Sequence, residues 1–191
     1  YASRGLGDVY KRQVFNEIPN KHSIFDYDEF YKYDGKVLAG AFNVETGEVE
    51  YFDKDKLDEK NTILKASCSI PLLFPFVNIE DKYYADGGLS NPIPIYKSIE
   101  DGNDKNIIVL TRNIDYRKKK SKANQIAYKV YKKKYPKLAE VLAKRHIEYN
   151  KELEFCNELE NKGNAIVLRP TIPMDVGRFE RDKVKLRNIY N

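Results

Sequence analysis

The chain has 191 residues, of which 41% are hydrophobic and 33% are charged, and its formal net charge is +5. Its 15 tyrosines and 9 phenylalanines exclude a disordered tail, and the lack of any apolar run near about 18 residues excludes a membrane-spanning helix. Two cysteines and two histidines exclude a disulfide scaffold or a zinc site, and they argue against a serine–histidine catalytic pair.

The excess of positive over negative charge lies in one stretch of the chain. Residues 111–145 hold 13 basic and 2 acidic residues, whereas residues 1–110 hold 13 basic and 19 acidic residues. Residues 146–191 are balanced, with 8 of each sign. The basic character is therefore local, and the net charge of the whole chain indicates little about its partners.

The first residues show no hydrophobic periodicity. Residues 1–13 combine glycines with scattered charges, lack the pattern of a signal peptide, and resemble translated sequencing-adapter sequence. We therefore expect residues 1–13 to be an irregular, non-native leader, with the native sequence starting near Val14. The first residue is not Met, and the single Met is Met174, which suggests a piece of a longer protein.

Residues 36–52 predict a β-hairpin, because an apolar run is followed by a turn and then by alternating apolar and acidic residues. Gly47 supplies the positive φ that such a turn needs. Residues 61–68 predict a short helix. Pro71 ends it, because the residue before a proline is pushed out of the helical region.

Residues 82–85 predict a short strand, and a tight turn of Asp86, Gly87 and Gly88 follows it. Residues 92–99 predict a short helix with prolines near its start, where a missing N–H does no harm. The apolar, β-branched residues at 106–110 predict a strand that is buried on both faces, which favours a parallel sheet.

The remainder of the chain predicts three helices and one strand. The helices are expected at 121–134, 137–161 and 175–190, and the strand at 165–168. The apolar residues of the second helix recur at helical spacing: Leu138, Leu142, Tyr149, Leu153 and Cys156. Those of the third helix are Phe179, Leu186 and Ile189. Strands that alternate with helices argue for an α/β layered domain.

Residues 66–95 contain the candidate catalytic group. Asp86 leaves a predicted strand and is followed by Gly87 and Gly88, which allow a close backbone approach and hold a carboxylate on a sharp turn. Enzymes with α/β folds place catalytic groups at the ends of sheet strands. An Asp-Gly-Gly triplet alone is more often a simple turn, so the surrounding residues have to decide.

This segment resembles the patatin-like phospholipase family. There, an Ala-Ser-x-x-Ile-Pro-x-x-Phe-Pro stretch precedes a strand that ends in an Asp-Gly-Gly motif, with an Asn and a Pro after it. The matching residues are Ala66, Ser67, Ile70, Pro71, Phe74, Pro75, Asp86, Gly87, Gly88, Asn91 and Pro94. Phe76 replaces a common second proline. The resemblance covers roughly residues 14–191, and the part after residue 135 is similar to the C-terminal extension of bacterial members.

The resemblance implies a three-layer α/β/α sandwich with a mainly parallel sheet. Residues 14–115 would be the later part of the hydrolase domain, and residues 116–191 a basic segment with a helical extension. The family uses a dyad of serine and aspartate without histidine, in which Asp86 would be the general base and Gly87 and Gly88 would shape its turn. The implied substrate is a lipid ester, cleaved through an acyl-enzyme with no metal and no organic cofactor.

The nucleophile motif of that family is absent from this sequence. It is Gly-x-Ser-x-Gly, a strained elbow between strand and helix, and no serine here lies between glycines at that spacing. In the family this motif precedes the segment seen here, so we expect a C-terminal fragment that carries only the aspartate and is inactive alone. The alternative is a non-catalytic module with the same fold that binds a lipid surface or a partner.

Other polar residues in the segment have simpler interpretations. Ser67 and Ser69 are conceivable nucleophiles, but packed or capping serines are the favoured interpretation. Asp81 is expected to be a solvated loop residue, although it lies five residues before Asp86 and a carboxylate pair serves acid–base chemistry. Cys68 is expected to be a small buried residue. Neither histidine has ligand partners at metal spacing.

The basic segment 117–134 interleaves lysines with tyrosines. A solvated helix face is the favoured interpretation. The second is contact with an anionic membrane surface, which suits a lipid hydrolase. Nucleic-acid contact is the third, and we expect none. We expect a cytoplasmic protein, with peripheral membrane contact as the open alternative.

Overall fold

The computed structural model describes residues 11–58, 60–174, 176 and 180–190. Its strands are β1 (Leu38–Asn43), β2 (Val49–Asp53), β3 (Val77–Ile79), β4 (Lys82–Asp86), β5 (Asn106–Val109) and β6 (Ala165–Leu168). Its α-helices are α1 (Tyr27–Lys32), α2 (Thr62–Ser67), α3 (Ile95–Glu100), α4 (Lys122–Tyr131), α5 (Pro136–Asn161) and α6 (Lys183–Tyr190). The other helical segments are a π-helix at Gln13–His22 and 3-10 turns at Lys54–Lys56 and Gly87–Leu89. The expected leader falls mostly on residues outside those described.

Strands β1 to β4 form one antiparallel sheet, in the order β2-β1-β4-β3. Strands β1 and β2 are the predicted hairpin, and Gly47 in its turn has a φ of +81°. The side chain of Asn43 closes the turn, because its Oδ1 accepts the N–H groups of Glu45 at 3.0 Å and Thr46 at 3.2 Å. The hairpin prediction is confirmed, together with the role of its glycine.

Strand β1 lies inside the sheet, since β4 pairs with its second edge and places Ala41 opposite Asp86. Helix α2, which the sequence predicted at 61–68, packs on this sheet through Ala66. Ala66 is fully buried in a cluster with Ala41 and Tyr84. These contacts fix the strand end that carries Asp86.

The described residues divide into two compact units. The first unit comprises residues 11–93 and 120–149, so it includes the antiparallel sheet, α4 and the start of α5. Its core consists of buried apolar side chains from the sheet, the turns beside it and these two helices: Phe42, Val44, Ala85, Leu89, Ala127, Leu138 and Leu142. Removing such apolar surface from water is the main favourable contribution to folding.

The second unit comprises residues 94–119 and 150–190. In it, β5 and β6 pair in parallel, as the apolar run predicted. The prediction that β5 is buried on both faces is wrong, because Ile108 is buried while Ile107 and Val109 are 71% and 73% exposed. The described strands of this unit are covered on one face, and a short apolar run does not distinguish these two cases.

The described strands confirm an α/β protein but not the mainly parallel sheet. Four of them are antiparallel, and the parallel pair is β5 with β6. The reason is local, since short turns join β1 to β2 and β3 to β4, and a short turn can connect only antiparallel neighbours.

Helices α4 and α5 confirm the predictions at 121–134 and 137–161. Helix α6 is shorter than predicted. It begins at Lys183 because Asp182 caps it, with Oδ1 accepting the N–H of Val184 at 2.8 Å. Phe179, expected on its apolar side, lies outside the described residues. None of the helices formed by the described residues has the length and apolar character needed to cross a bilayer.

Candidate functional site

Asp86 lies at the end of strand β4 and is half-buried. Its N–H donates to the carbonyl oxygen of Ser69 at 3.0 Å, while its strand position pairs with Ala41. The first contact joins the Ala-Ser-x-x-Ile-Pro stretch to the Asp-Gly-Gly turn. The structure therefore brings together the two parts of the motif that the sequence had shown only as neighbouring segments.

One carboxylate oxygen of Asp86 closes the turn that follows the strand. Its Oδ1 accepts the N–H of Gly88 at 2.8 Å, at the start of the 3-10 turn Gly87–Leu89. An aspartate that accepts the N–H two residues further on forms an Asx turn, which fixes the rotamer of its side chain. A fixed carboxylate meets one requirement of a general base, because a base must be held within reach of the proton that it removes.

Position 87 has no room for a side chain, so it requires glycine. A Cβ at this position would lie 2.4 Å from the carbonyl oxygen and 2.8 Å from the carbonyl carbon of Gly40, on the neighbouring strand β1. Backbone atoms cannot yield as a flexible side chain does. The close backbone approach that the sequence predicted for the paired glycines is confirmed at Gly87.

Gly88 has a different neighbourhood. A Cβ there would lie 3.1 Å from Oδ1 of Asp86 and 3.7 Å from a terminal guanidinium nitrogen of Arg145. Both neighbours are side chains, so a larger residue would displace the carboxylate and not the strand. The two glycines thus serve the same turn in two ways, one through the backbone of β1 and one through the aspartate itself.

Arg145 of helix α5 also belongs to the site. Its Nε donates to the carbonyl oxygen of Gly88 at 2.8 Å, and the bond is partly buried. Sequence reasoning missed this residue, because Arg145 lies 57 positions beyond Gly88 in a helix that carries many charged residues of both signs. No local pattern distinguishes it from its solvated neighbours.

Ser69, one of the two conceivable nucleophiles, is completely buried. Its Oγ donates to the carbonyl oxygen of Lys65 at 2.6 Å and accepts from Nζ of Lys11 at 2.6 Å. Lys11 is itself buried and lies 5.0 Å from the ring centroid of Phe74. A serine and a lysine in contact can form a catalytic pair, but this hydroxyl has no access to a substrate. The predicted structural role of Ser69 is confirmed.

Cys68 is exposed, against the expectation of a buried residue. Desolvation by the surrounding protein raises the pKa of its thiol, and the nearby Asp86 carboxylate raises it further, while Lys11 acts in the opposite direction. A thiol with a raised pKa is a poor nucleophile at neutral pH. Cys68 is therefore a poor candidate nucleophile, but the pKa of its thiol depends on the charge of Asp86.

The sheet next to Asp86 carries a partly buried polar network. Glu50 accepts the hydroxyl of Tyr84 at 2.6 Å and the side-chain amide of Asn43 at 2.7 Å. Burial alone would raise the pKa of Glu50, but these two hydrogen bonds and the charge of Lys82 lower it overall. Burial, followed by the hydrogen bond to Glu50 and the charge of Glu50, raises the pKa of Tyr84. The network fixes β4 two residues before the candidate base.

The remaining candidates lie elsewhere. Asp81 is exposed in the turn between β3 and β4, with a φ of +62°, as expected for a loop residue. His22 is exposed at the end of the π-helix. His146 lines a cavity of about 380 Å³ between α4 and α5. Cys156 is fully buried, and burial raises the pKa of its thiol to about 11.

Two family models match the chain. Residues 8–97 match the model described as patatin-like phospholipase, which is consistent with a protein of that family. Residues 135–191 match a model described as a domain of unknown function (DUF6363). A comparison with curated proteins gave no match. The strand, the turn and the carboxylate of Asp86 all lie inside the first match.

Proposed function

We propose that this chain is part of a lipid acyl hydrolase of the serine–aspartate dyad type, with Asp86 as the general base. The observation that supports this best is the carboxylate of Asp86, fixed at a strand end by the N–H of Gly88 at 2.8 Å. It lies in the segment that matches the patatin-like phospholipase family. A carboxylate in this position needs no histidine to act.

In the proposed reaction, Asp86 accepts the proton of a serine hydroxyl as that oxygen attacks the carbonyl carbon of a lipid ester. The protonated Asp86 gives this proton to the departing alkoxide, so the alcohol leaves and an acyl-enzyme remains. Asp86 then takes a proton from water as the water attacks the acyl-enzyme, and it returns that proton to the serine oxygen as the fatty acid leaves. Backbone N–H groups would stabilise the oxyanion at both stages. The dyad uses neither a metal nor an organic cofactor.

The nucleophile would come from residues outside the given sequence, since none of its serines lies in Gly-x-Ser-x-Gly. Those residues would also supply the parallel strands of the three-layer α/β/α arrangement. The antiparallel sheet would then continue that parallel sheet. The chain alone would then be inactive. The alternative, a non-catalytic module that binds a lipid surface or a partner, would need no such residues.

The test uses the complete protein that the gene encodes, including whatever precedes residue 1. A fluorophosphonate probe should label one serine, and a short-chain nitrophenyl ester should be hydrolysed. Asp86→Asn should lower hydrolysis by about 10²–10⁴-fold, which is the usual contribution of a general base. Asp81→Asn is the matched control, because Asp81 is an exposed aspartate five residues earlier and its loss should leave the rate unchanged.

Three results would contradict the proposal. Hydrolysis by the chain as given would show that no additional nucleophile is needed. Near-normal turnover of the Asp86→Asn variant would show that the motif does not supply the base. A complete protein that reacts with no fluorophosphonate would favour the non-catalytic module.

A further inference from the structure

The outward side of helix α4 combines lysines with aliphatic side chains. Ile126 and Val130 are 58% and 57% exposed, and their spacing of four residues makes them neighbours on one helix face. Ala127, by contrast, is buried in the core of the first unit, and Tyr131 packs against that core. Ile126 and Val130 therefore form a small apolar patch on the outward side of the helix.

Lysines surround this aliphatic pair. Lys122 lies four residues before Ile126, and Lys129 lies three residues after it, so both are on the same face. Lys133 follows in the turn after the helix, four residues beyond Lys129. We call these five residues the α4 face: Lys122, Ile126, Lys129, Val130 and Lys133. All five are exposed.

No acidic residue offsets this charge along the chain. Between Asp115 and Glu140 the sequence contains no aspartate and no glutamate, although acidic residues are common elsewhere. A helix face that bears one sign of charge around an apolar centre is complementary to a surface that is anionic outside and apolar beneath. An anionic phospholipid bilayer has that composition.

The cavity beside α4 also combines basic and apolar side chains. It measures about 380 Å³, and its lining includes Lys120, Lys129 and His146, with Leu142 and Ala143 forming an apolar part of the wall. Lys129 therefore belongs to both the cavity and the α4 face. A lysine binds a phosphate as a point charge, so the cavity has the volume and the cations to hold a lipid headgroup.

Two tyrosines at the end of the basic segment are not available to stack on bases, although Tyr128 is 39% exposed. Tyr131 and Tyr135 direct their rings to Phe76, with centroid distances of 5.5 Å in both cases. The hydroxyl of Tyr131 also accepts the N–H of Leu72 at 3.3 Å. These rings pack within the first unit, whereas single-stranded nucleic acid is held by rings on which bases can stack.

We infer that the α4 face docks the protein on an anionic phospholipid bilayer. Ile126 and Val130 enter the boundary between headgroups and acyl chains, and Lys122, Lys129 and Lys133 contact lipid phosphates. The inference depends on the residues of α4 and not on the proposed hydrolase activity. Its tests therefore use binding and fluorescence, without any measurement of turnover.

The charge is tested by sedimentation with vesicles of phosphatidylcholine alone or with about 30% phosphatidylserine. The protein should bind only the second kind, and added salt should weaken the binding. The triple variant Lys122→Gln, Lys129→Gln, Lys133→Gln should bind about 100-fold more weakly, at about fivefold for each lysine. The control triple Lys21→Gln, Lys56→Gln, Lys60→Gln makes the same change in net charge at exposed positions elsewhere and should bind as the unmodified protein does.

The aliphatic pair is tested by insertion of a fluorescent reporter. The chain contains no Trp, so Ile126→Trp introduces a single one. Its emission should shift to shorter wavelength with phosphatidylserine vesicles, and brominated lipids should quench it. Ile24→Trp is the control, because Ile24 is 82% exposed in the same unit and lies outside the α4 face. Its emission should not change.

Several outcomes would overturn the inference. Equal binding to both kinds of vesicle, or no binding to either, would show that the lysines do not recognise anionic lipid. Equal losses in the two triple variants would show that only net charge matters. If the Ile126→Trp variant binds vesicles but its emission does not change, α4 does not contact the bilayer. Binding to an oligonucleotide in place of vesicles would assign the face to nucleic acid.

Discussion

Arg145 donates a hydrogen bond from its Nε to the carbonyl oxygen of Gly88, over 2.8 Å. Gly88 lies in the match to the patatin-like phospholipase family, and Arg145 lies in the match to the domain of unknown function. The two matched segments therefore meet at the turn that holds Asp86. Leu138 and Leu142, from the same helix as Arg145, complete the core behind Phe42. The start of the segment that matches the domain of unknown function therefore packs with the segment that matches the patatin-like phospholipase family.

We expect Arg145→Met to destabilise the turn. A hydrogen bond from a charged donor to a partly buried carbonyl is worth about 1.5–3 kcal/mol, so the free energy of unfolding in urea should fall by about that amount. Methionine keeps much of the aliphatic stem, which limits the loss of packing. Lys144→Met is the control, since Lys144 is an exposed neighbour on the same helix. Equal stability of the two variants would show that the Gly88 contact contributes nothing.

Gly87→Ala and Gly88→Ala should differ in kind. The methyl group at Gly87 would lie 2.4 Å from the carbonyl oxygen of Gly40, so β1 and β4 must separate, and we expect a loss of about 1–3 kcal/mol. The methyl group at Gly88 would meet the carboxylate of Asp86 at 3.1 Å. Its effect on unfolding should be smaller. Urea denaturation compares the two, and a larger loss at Gly88 would contradict the assignment.

The elements that the sequence predicted well are those with local signals. The hairpin followed from strand alternation and Gly47, and the turn after β4 followed from Asp86 and its two glycines. Helix α5 followed from the spacing of its apolar residues. Each of these signals is contained within a short stretch of chain, and each has one dominant physical cause.

The features that the sequence did not predict depend on distant residues. The order β2-β1-β4-β3 requires β1 to pair with a strand about forty residues later, and nothing in β1 names that partner. Arg145, and not another basic residue, contacts Gly88 because of the position of α5, which the residues next to Arg145 in the sequence do not indicate. The exposure of Ile107 and Val109 depends on what covers β5. Of the candidate site, Asp86 and its two glycines were predictable, and the contacts from Ser69 and Arg145 were not.

Cys68 should respond to the charge of Asp86. Desolvation and then the Asp86 carboxylate raise the pKa of this thiol, so Asp86→Asn should lower it and speed alkylation by iodoacetamide near pH 8. Cys156 is fully buried with a pKa of about 11, so the measured rate reports on Cys68. The pH–rate profile of Asp81→Asn serves as the control. Identical profiles for both variants and the unmodified protein would mean that the Asp86 charge does not reach the thiol.

Glu50 should make the first unit sensitive to acid. Burial opposes the charge of Glu50, but the hydrogen bonds from Tyr84 and Asn43 and the charge of Lys82 leave its folded-state pKa below the usual value. The unfolded chain therefore binds this proton more readily than the folded chain. The stabilisation is complete above the usual glutamate pKa of about 4.3 and is lost as pH falls through the lower folded-state value.

The variant Glu50→Gln tests this dependence, because glutamine keeps an acceptor for Tyr84 but does not titrate. At pH 7 the unmodified protein should be the more stable of the two in urea, and the difference should shrink steadily below about pH 4.3. Glu48→Gln, in the same hairpin and exposed, controls for the loss of one negative charge. A difference between the unmodified protein and Glu50→Gln that stays constant with pH would show that the network stabilises β4 through packing alone.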